Sequence, residues 1–161
     1  MNTVIIREIE KQDNPEIARV IRNVLIEHNV PKVGTAYADP QLDCMFETYD
    51  HPRAIYFVVE RDGKIVGGAG VNQLENEAEA ICELQKMYFL PQTRGLGLGS
   101  QMMEKCVQSA KNFGYKKCYL ETMPYMKAAQ KLYLKSGFEY IDGPMGNTGH
   151  TSCPVWMIKE L

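Results

Sequence analysis

Met87-Tyr88-Phe89-Leu90-Pro91-Gln92-Thr93-Arg94-Gly95-Leu96-Gly97-Leu98-Gly99-Ser100 carries a strand-like apolar run into a turn with three alternating glycines. An amphipathic segment follows, with Met102, Met103, Cys106, Val107, Ala110 and Phe113 at helical spacing. Glycine inside a helix costs about 1 kcal/mol relative to alanine, so its repetition at a helix start needs a reason. Bare backbone lets an anion come close. The unbonded N–H groups of a helix's first turn then point at it, helped by the helix dipole. A diphosphate is the ligand that this stretch suits.

Two familiar diphosphate turns are excluded by spacing. A P-loop places lysine and then serine or threonine after its last glycine, whereas Ser100 follows Gly99 directly. The dinucleotide fingerprint G-x-G-x-x-G, begun at Gly95 and Gly97, would need its third glycine at Ser100, and it belongs in a first βαβ unit. The spacing that fits is Arg/Gln-x-x-Gly-x-Gly, met by Arg94, Gly97 and Gly99.

Working outward, the pattern upstream predicts a strand over residues 3–9. A helix opens at Asp13-Asn14-Pro15 and buries Ile17, Val20, Ile21, Val24 and Leu25 on the same stripe as His28. Residues 30–38 read as a loop, and a second helix runs from Asp39-Pro40 to about Tyr49. Ile55–Val59 and residues 64–71 make a hairpin through Asp62-Gly63, a strong two-residue turn signal. A third long strand is expected over residues 78–89, with Ile81, Glu83, Gln85, Met87 and Phe89 on one face.

Downstream, Gly114 ends the helix after the glycine turn. A strand over 117–122, a helix over 126–136 stopped by Gly137, and closing strands over 138–141 and 155–158 complete the chain. The order implies a single domain over 1–161, of α/β (mixed α+β) class. Its mostly antiparallel mixed sheet has about six to seven strands and about four flanking helices.

Composition narrows the function classes. With 161 residues, 45% hydrophobic, 24% charged and a net charge of -2, the chain has no basic excess to hold a nucleic-acid backbone. No apolar run reaches membrane-span length, and residues 1–10 lack the pattern of a signal peptide. The expected setting is cytoplasmic. Cys44, Cys82, Cys106, Cys118 and Cys153 form an odd set without a C-x-x-C pair, which suits reduced thiols better than disulfides or a zinc site.

The glycine turn, its place after a strand, and the segment Ala129-Gln130-Lys131-Leu132-Tyr133-Leu134-Lys135-Ser136-Gly137-Phe138 together resemble the GNAT superfamily of N-acetyltransferases. The later segment is similar to that family's A-x-x-L-Y-x-x-x-G-F signature, and the likeness covers nearly the whole chain. It implies the GNAT fold and transfer of an acetyl group from acetyl-CoA to an amine in a ternary complex, with no metal and no covalent enzyme intermediate. The strand before the turn would splay from its neighbour and pair with the pantetheine arm through Met87, Tyr88 and Phe89. The amides of Gly95, Leu96, Gly97, Leu98, Gly99 and Ser100 would hold the diphosphate, with Arg94 at the entry. Tyr133 would protonate the departing thiolate. One position departs from the family: seven residues before that tyrosine many members carry asparagine, and here Met126 stands, with Lys127 beside it.

An alkylammonium with pKa near 10 leaves about one amine in two thousand neutral at pH 7, so the reaction is helped by a general base. Glu83, six residues before Phe89, matches the family's usual base, and Glu121, twelve before Tyr133, matches its alternative. Each could instead be a surface carboxylate or pair with Lys86 or Lys117. The resemblance places the acceptor pocket between the first two helices and the closing loop, which offer His28, Tyr37, Asp39 and His150. Loops of that length can roof a pocket, favouring a small-molecule amine or amino acid; a homodimer stays open. Two other readings are acetylation of a protein N-terminus or lysine, and a non-catalytic acyl-CoA-binding module.

Overall fold

Asp62 and Gly63 both take left-handed backbone angles (φ 51 and 81) and turn β2 (Ile55–Arg61) tightly into β3 (Lys64–Gln73). That is the geometry a two-residue hairpin requires. The computed structural model describes residues 3–75, 77 and 80–161. Its other strands are β1 (Val4–Glu8), β4 (Ile81–Phe89), β5 (Lys117–Thr122), β6 (Glu139–Ile141) and β7 (Val155–Glu160). They form one seven-stranded sheet in the order β1-β2-β3-β4-β5-β7-β6. Among the described residues only the β4–β5 pairing is parallel. The strand start expected at Ala78 lies outside the described residues.

Four helices flank the sheet: α1 (Asn14–Glu27), α2 (Met45–Tyr49), α3 (Leu98–Asn112) and α4 (Lys127–Lys135). Alternating residues of β2 separate two cores. Phe57 and Val59 join Met102, Cys106 and Tyr133 on the α3–α4 side, while Tyr56 and Val58 join Ile17, Ile21 and Met45 on the α1–α2 side. Among the described residues no helix is long and apolar enough to cross a membrane.

Two expectations need correction. The helix expected over 39–49 is broken into a 3-10 turn (Pro40–Cys44) followed by α2, with Cys44 between them out of helical geometry (φ -135, ψ 52). Leu42 and Met45, both fully buried, are three residues apart, which suits the tighter turn. The second correction concerns β4. Its alternation holds only to Gln85, because Lys86 adopts φ 51 and the pairing with β3 slips between Gly68 and Gly70. This β-bulge adds one residue. Met87 and Phe89 consequently pack on the α3 side with Leu84, not on the face of Glu83 and Gln85.

The bulge is held from β2. A Cβ at Gly68 would lie 2.6 Å from Tyr56 Cε1, and one at Gly70 2.6 Å from Tyr56 Cδ2. These bare positions let the Tyr56 ring cross β3, where its hydroxyl donates to the Lys86 carbonyl at 2.7 Å.

Candidate active site

β4 and β5 pair only where Ile81–Glu83 lie beside Lys117–Tyr119. Beyond that point β5 keeps its pairing with β7, while β4 stays with β3 as far as Phe89. The two strands therefore part. A groove of about 450 Å³ occupies the opening, running from Gly95, Gly97 and Gly99 past Met87 and Phe89 to Tyr133.

The glycine turn forms the outer end of this groove. Gly95 (φ 79) and Gly97 (φ 75) are left-handed, and a Cβ at either would meet nothing within 4 Å. Both therefore border open space, and Gly97 is the residue immediately before α3. Gly99 differs: it lies in the first turn of α3, where a Cβ would be 3.1 Å from Leu132 Cδ2, so its bareness brings α3 close to α4. Leu98 is buried in the core while Leu96 is exposed, and Ser100 is an exposed residue of the first turn of α3. The Arg94 guanidinium is tied to Glu27 by contacts of 2.6 and 2.8 Å and to the Phe89 carbonyl at 2.8 Å. That hydrogen bond holds the Glu27 carboxyl below its ordinary pKa.

A smaller cavity, of about 40 Å³, lies further in. Met87, Tyr88, Met126 and Tyr133 wall both spaces, and Lys86, Glu121 and Cys153 line only the inner one. Two residues of its wall, Glu121 and Lys86, belong to a cluster with Glu83, His150 and Asp39. Donor atoms of Glu83, Glu121 and His150 lie within 4.8 Å of one another.

Glu83 is 5% exposed and accepts a 2.6 Å hydrogen bond from Gln85 Nε2. Burial pushes its pKa up to about 7; the Gln85 bond opposes this and the neighbouring Glu121 charge adds to it. Glu121 is more fully engaged. It accepts the Tyr119 hydroxyl at 2.6 Å and the Thr148 hydroxyl at 2.5 Å. His150 stands between two carboxylates, with Nδ1 3.9 Å from Glu121 and Nε2 3.9 Å from Asp39. Burial alone would raise Asp39, but the His150 imidazole and the Lys86 ammonium 3.4 Å away hold its carboxyl well below the usual range.

Neither glutamate takes the ion-pair role weighed for it. Lys86 turns to Asp39 and Lys117 to Glu160 at 3.6 Å. Tyr133 is buried, with its hydroxyl pushed up to about 12 by burial, and its ring meets Phe138 edge-on. Burial likewise pushes the Cys153 thiol up to about 12, which leaves little thiolate for nucleophilic attack.

The other acceptor candidates are dispersed. His28 caps α1 and lines the outer groove. Tyr37 packs against the α1–α2 core with the Lys32 ammonium 5.2 Å from its ring centroid. Sequence reasoning missed Lys86, Gln85 and Tyr119, whose roles depend on the bulge and on side-chain contacts. The run Gly67-Gly68-Ala69-Gly70 in β3 was the available signal.

Backbone hydrogen bonds help to fasten the closing loop at both ends. The Asn147 N–H donates to the Glu75 carbonyl at 2.7 Å, and the Ser152 N–H donates to the Gly34 carbonyl at 2.9 Å. The second contact joins the closing loop to the loop after α1, over the acid group.

Known proteins share this frame. A model of the Acetyltransferase (GNAT) family matches residues 21–138. The chain is 46% identical over 158 residues to the uncharacterized N-acetyltransferase YjgM of Escherichia coli, covering 98% of this chain and 95% of that one. A GNAT-family acetyltransferase of Staphylococcus aureus superposes with TM-score 0.87 at 21% identity over 99% of both chains. The protein yncA of Salmonella typhimurium, whose structure holds its cofactor acetyl-CoA, superposes with TM-score 0.75 at 19% identity, covering 98% of this chain and 94% of that one. The chain belongs to the GNAT acetyltransferase family and is an N-acetyltransferase.

Proposed function

We propose that the protein transfers an acetyl group from acetyl-CoA to the amine of a small molecule or amino acid, by direct transfer in a ternary complex. The observation that carries this is that the two cavities share a wall of four residues, Met87, Tyr88, Met126 and Tyr133. A groove that begins at bare helix-terminal amides ends at Tyr133, and the same wall opens onto Glu121 and Lys86. The groove suits acetyl-CoA: the Gly95–Ser100 amides meet its diphosphate, and Met87, Tyr88 and Phe89 offer β4 backbone to the pantetheine arm.

Bound acetyl-CoA supplies a thioester carbonyl open to attack by a neutral amine. Glu83 removes the proton from the incoming ammonium. Its pKa of about 7 lets it hold that proton briefly and return it to solvent near neutral pH. Glu121 is the weaker choice of base, because the Tyr119 and Thr148 hydroxyls already occupy its carboxylate oxygens. We assign it, with His150 and Asp39, to drawing a cationic amine inward. Tyr133, protonated through the neutral range, gives its proton to the sulfur as the C–S bond breaks and is reprotonated by the second proton that the attacking nitrogen sheds. Glu83, Glu121 and His150 also have the composition of a metal site.

The loop contacts at Gly34–Ser152 and Asn147–Glu75 hold the segment that carries Thr148 and His150 against Glu121, and a fastened loop there favours a small acceptor over a protein tail. The test measures free thiol released from acetyl-CoA in the presence of small amines, amino acids and peptides. Turnover confined to small amines or amino acids supports the reading. Turnover with peptides alone replaces it with protein acetylation, and coenzyme binding without any turnover reduces the protein to a binding module.

A further inference from the structure

The inner cavity is small, about 40 Å³, and shares a wall of four residues with the groove. Met126 immediately precedes α4, and its backbone N–H donates to the Met123 carbonyl at 3.1 Å. Its sulfur lies 3.9 Å from the Thr122 hydroxyl, which points the thioether toward the gap between β4 and β5. Of the four residues walling both cavities, Met87 and Tyr88 belong to β4 and Tyr133 is the assigned acid. Met126 is the fourth. It is unbranched, with three side-chain torsions, so its volume rather than a polar contact sets the passage.

We infer that Met126 sets acyl-chain length, admitting acetyl-CoA and rejecting longer acyl donors by filling the space a longer chain would enter. This rests on the coenzyme reading above. An acyl group delivered along the groove reaches the four-residue junction first. Beyond it about 40 Å³ must take both the acyl carbons and the attacking nitrogen. Each excess methylene in a pocket of fixed size costs about tenfold in discrimination. Replacing Met126 with alanine removes Cγ, Sδ and Cε from the junction and joins the two spaces more widely.

The test needs no acceptor. Calorimetric titration of coenzyme A, acetyl-CoA, butyryl-CoA and hexanoyl-CoA gives, for each protein, the ratio of acyl-CoA to coenzyme A affinity. Any general weakening of coenzyme binding cancels in that ratio. In the wild type the ratio is expected to fall at least about tenfold from acetyl to hexanoyl. Met126→Ala should recover most of that fall, and the larger Met126→Phe should move the decline to butyryl. Equal ratios in wild type and both variants, with coenzyme A still bound, would overturn the inference while leaving the coenzyme reading intact. No binding of coenzyme A by the wild type would overturn both.

Discussion

Gln85 Nε2 donates to Glu83 Oε1 at 2.6 Å, and Gln85 Oε1 in turn accepts the Tyr49 hydroxyl at 2.6 Å. The amide is thereby fixed in orientation, its nitrogen toward the carboxylate. Glu83 consequently leans on a neutral donor. The cation next along the strand, Lys86, is turned by the bulge to Asp39. A buried carboxylate with a neutral partner keeps a high pKa, which is what a base working near pH 7 needs.

Glu83→Gln should lower kcat/KM by about 10²–10⁴-fold and abolish the acid limb, which in the wild type rises with pH through about 7. A pH–rate profile of both proteins checks this. If the limb survives in Glu83→Gln and disappears in Glu121→Gln, the base is Glu121.

The same substitution has a stability signature of opposite sense. Glu83 moves from an ordinary 4.5 to about 7 on folding, so the native state binds its proton more tightly than the unfolded chain does. The stability this proton brings is complete below pH 4.5 and is lost as pH rises through 7. Glutamine does not titrate. The stability of Glu83→Gln relative to wild type should therefore improve between pH 5 and pH 8, by up to about 3 kcal/mol. Urea unfolding at the two pH values measures it, and a constant difference would show that Glu83 is not raised.

Tyr133→Phe keeps the ring that packs on Phe138 and removes the hydroxyl. It should lower kcat by about 10²-fold while acetyl-CoA affinity changes less than about threefold. Pre-steady-state transfer rates and calorimetric affinity separate the two effects. An unchanged rate would leave Tyr133 as a packing residue.

Gly97 offers a clean separation of binding from folding, because a Cβ there meets no protein atom within 4 Å. Gly97→Ala should cost about 1 kcal/mol, from its left-handed φ alone. Gly97→Glu adds length and negative charge at the amides assigned to the diphosphate and should abolish coenzyme A binding without unfolding the protein. Thermal melts with and without coenzyme A test the pair. Retained stabilisation by coenzyme A in Gly97→Glu would move the diphosphate elsewhere.

The sequence carried the frame because its signals are local. The Asp62-Gly63 turn, the stripe of α3 and the stops at Gly114 and Gly137 each depend on neighbours a few residues away, and β5 falls on residues 117–122 as expected. The β4 bulge could not be read in that way. Lys86 is an unusual residue for a left-handed angle, and what holds it there is Tyr56 reaching across Gly68 and Gly70 from another strand. The site divides along the same line. Glu83, Glu121 and His150 were legible as types in suitable segments and do converge. The Lys86–Asp39 pair joins residues 47 positions apart, and the Gln85 and Tyr119 donors, though only two residues from their carboxylates, are held by Tyr49 and by the Met145 N–H from distant segments.

Gly146 tests whether the closing loop is part of the machinery. Its φ is 63, and a Cβ would run into the Glu75 carbonyl and the Leu74 side chain, so even alanine must displace the closing loop. That loop carries Thr148 and His150, which reach Glu121. Gly146→Ala should therefore lower kcat/KM for the acceptor at least about tenfold, because a small misplacement of positioning groups is costly. Acetyl-CoA affinity should survive, since no residue of this loop before Cys153 lines either cavity. Isotherms for acetyl-CoA beside acceptor kinetics distinguish the outcomes. Equal loss in both would mean that the substitution damages the whole fold, and no loss in either would mean that Thr148 and His150 contribute nothing to the acceptor.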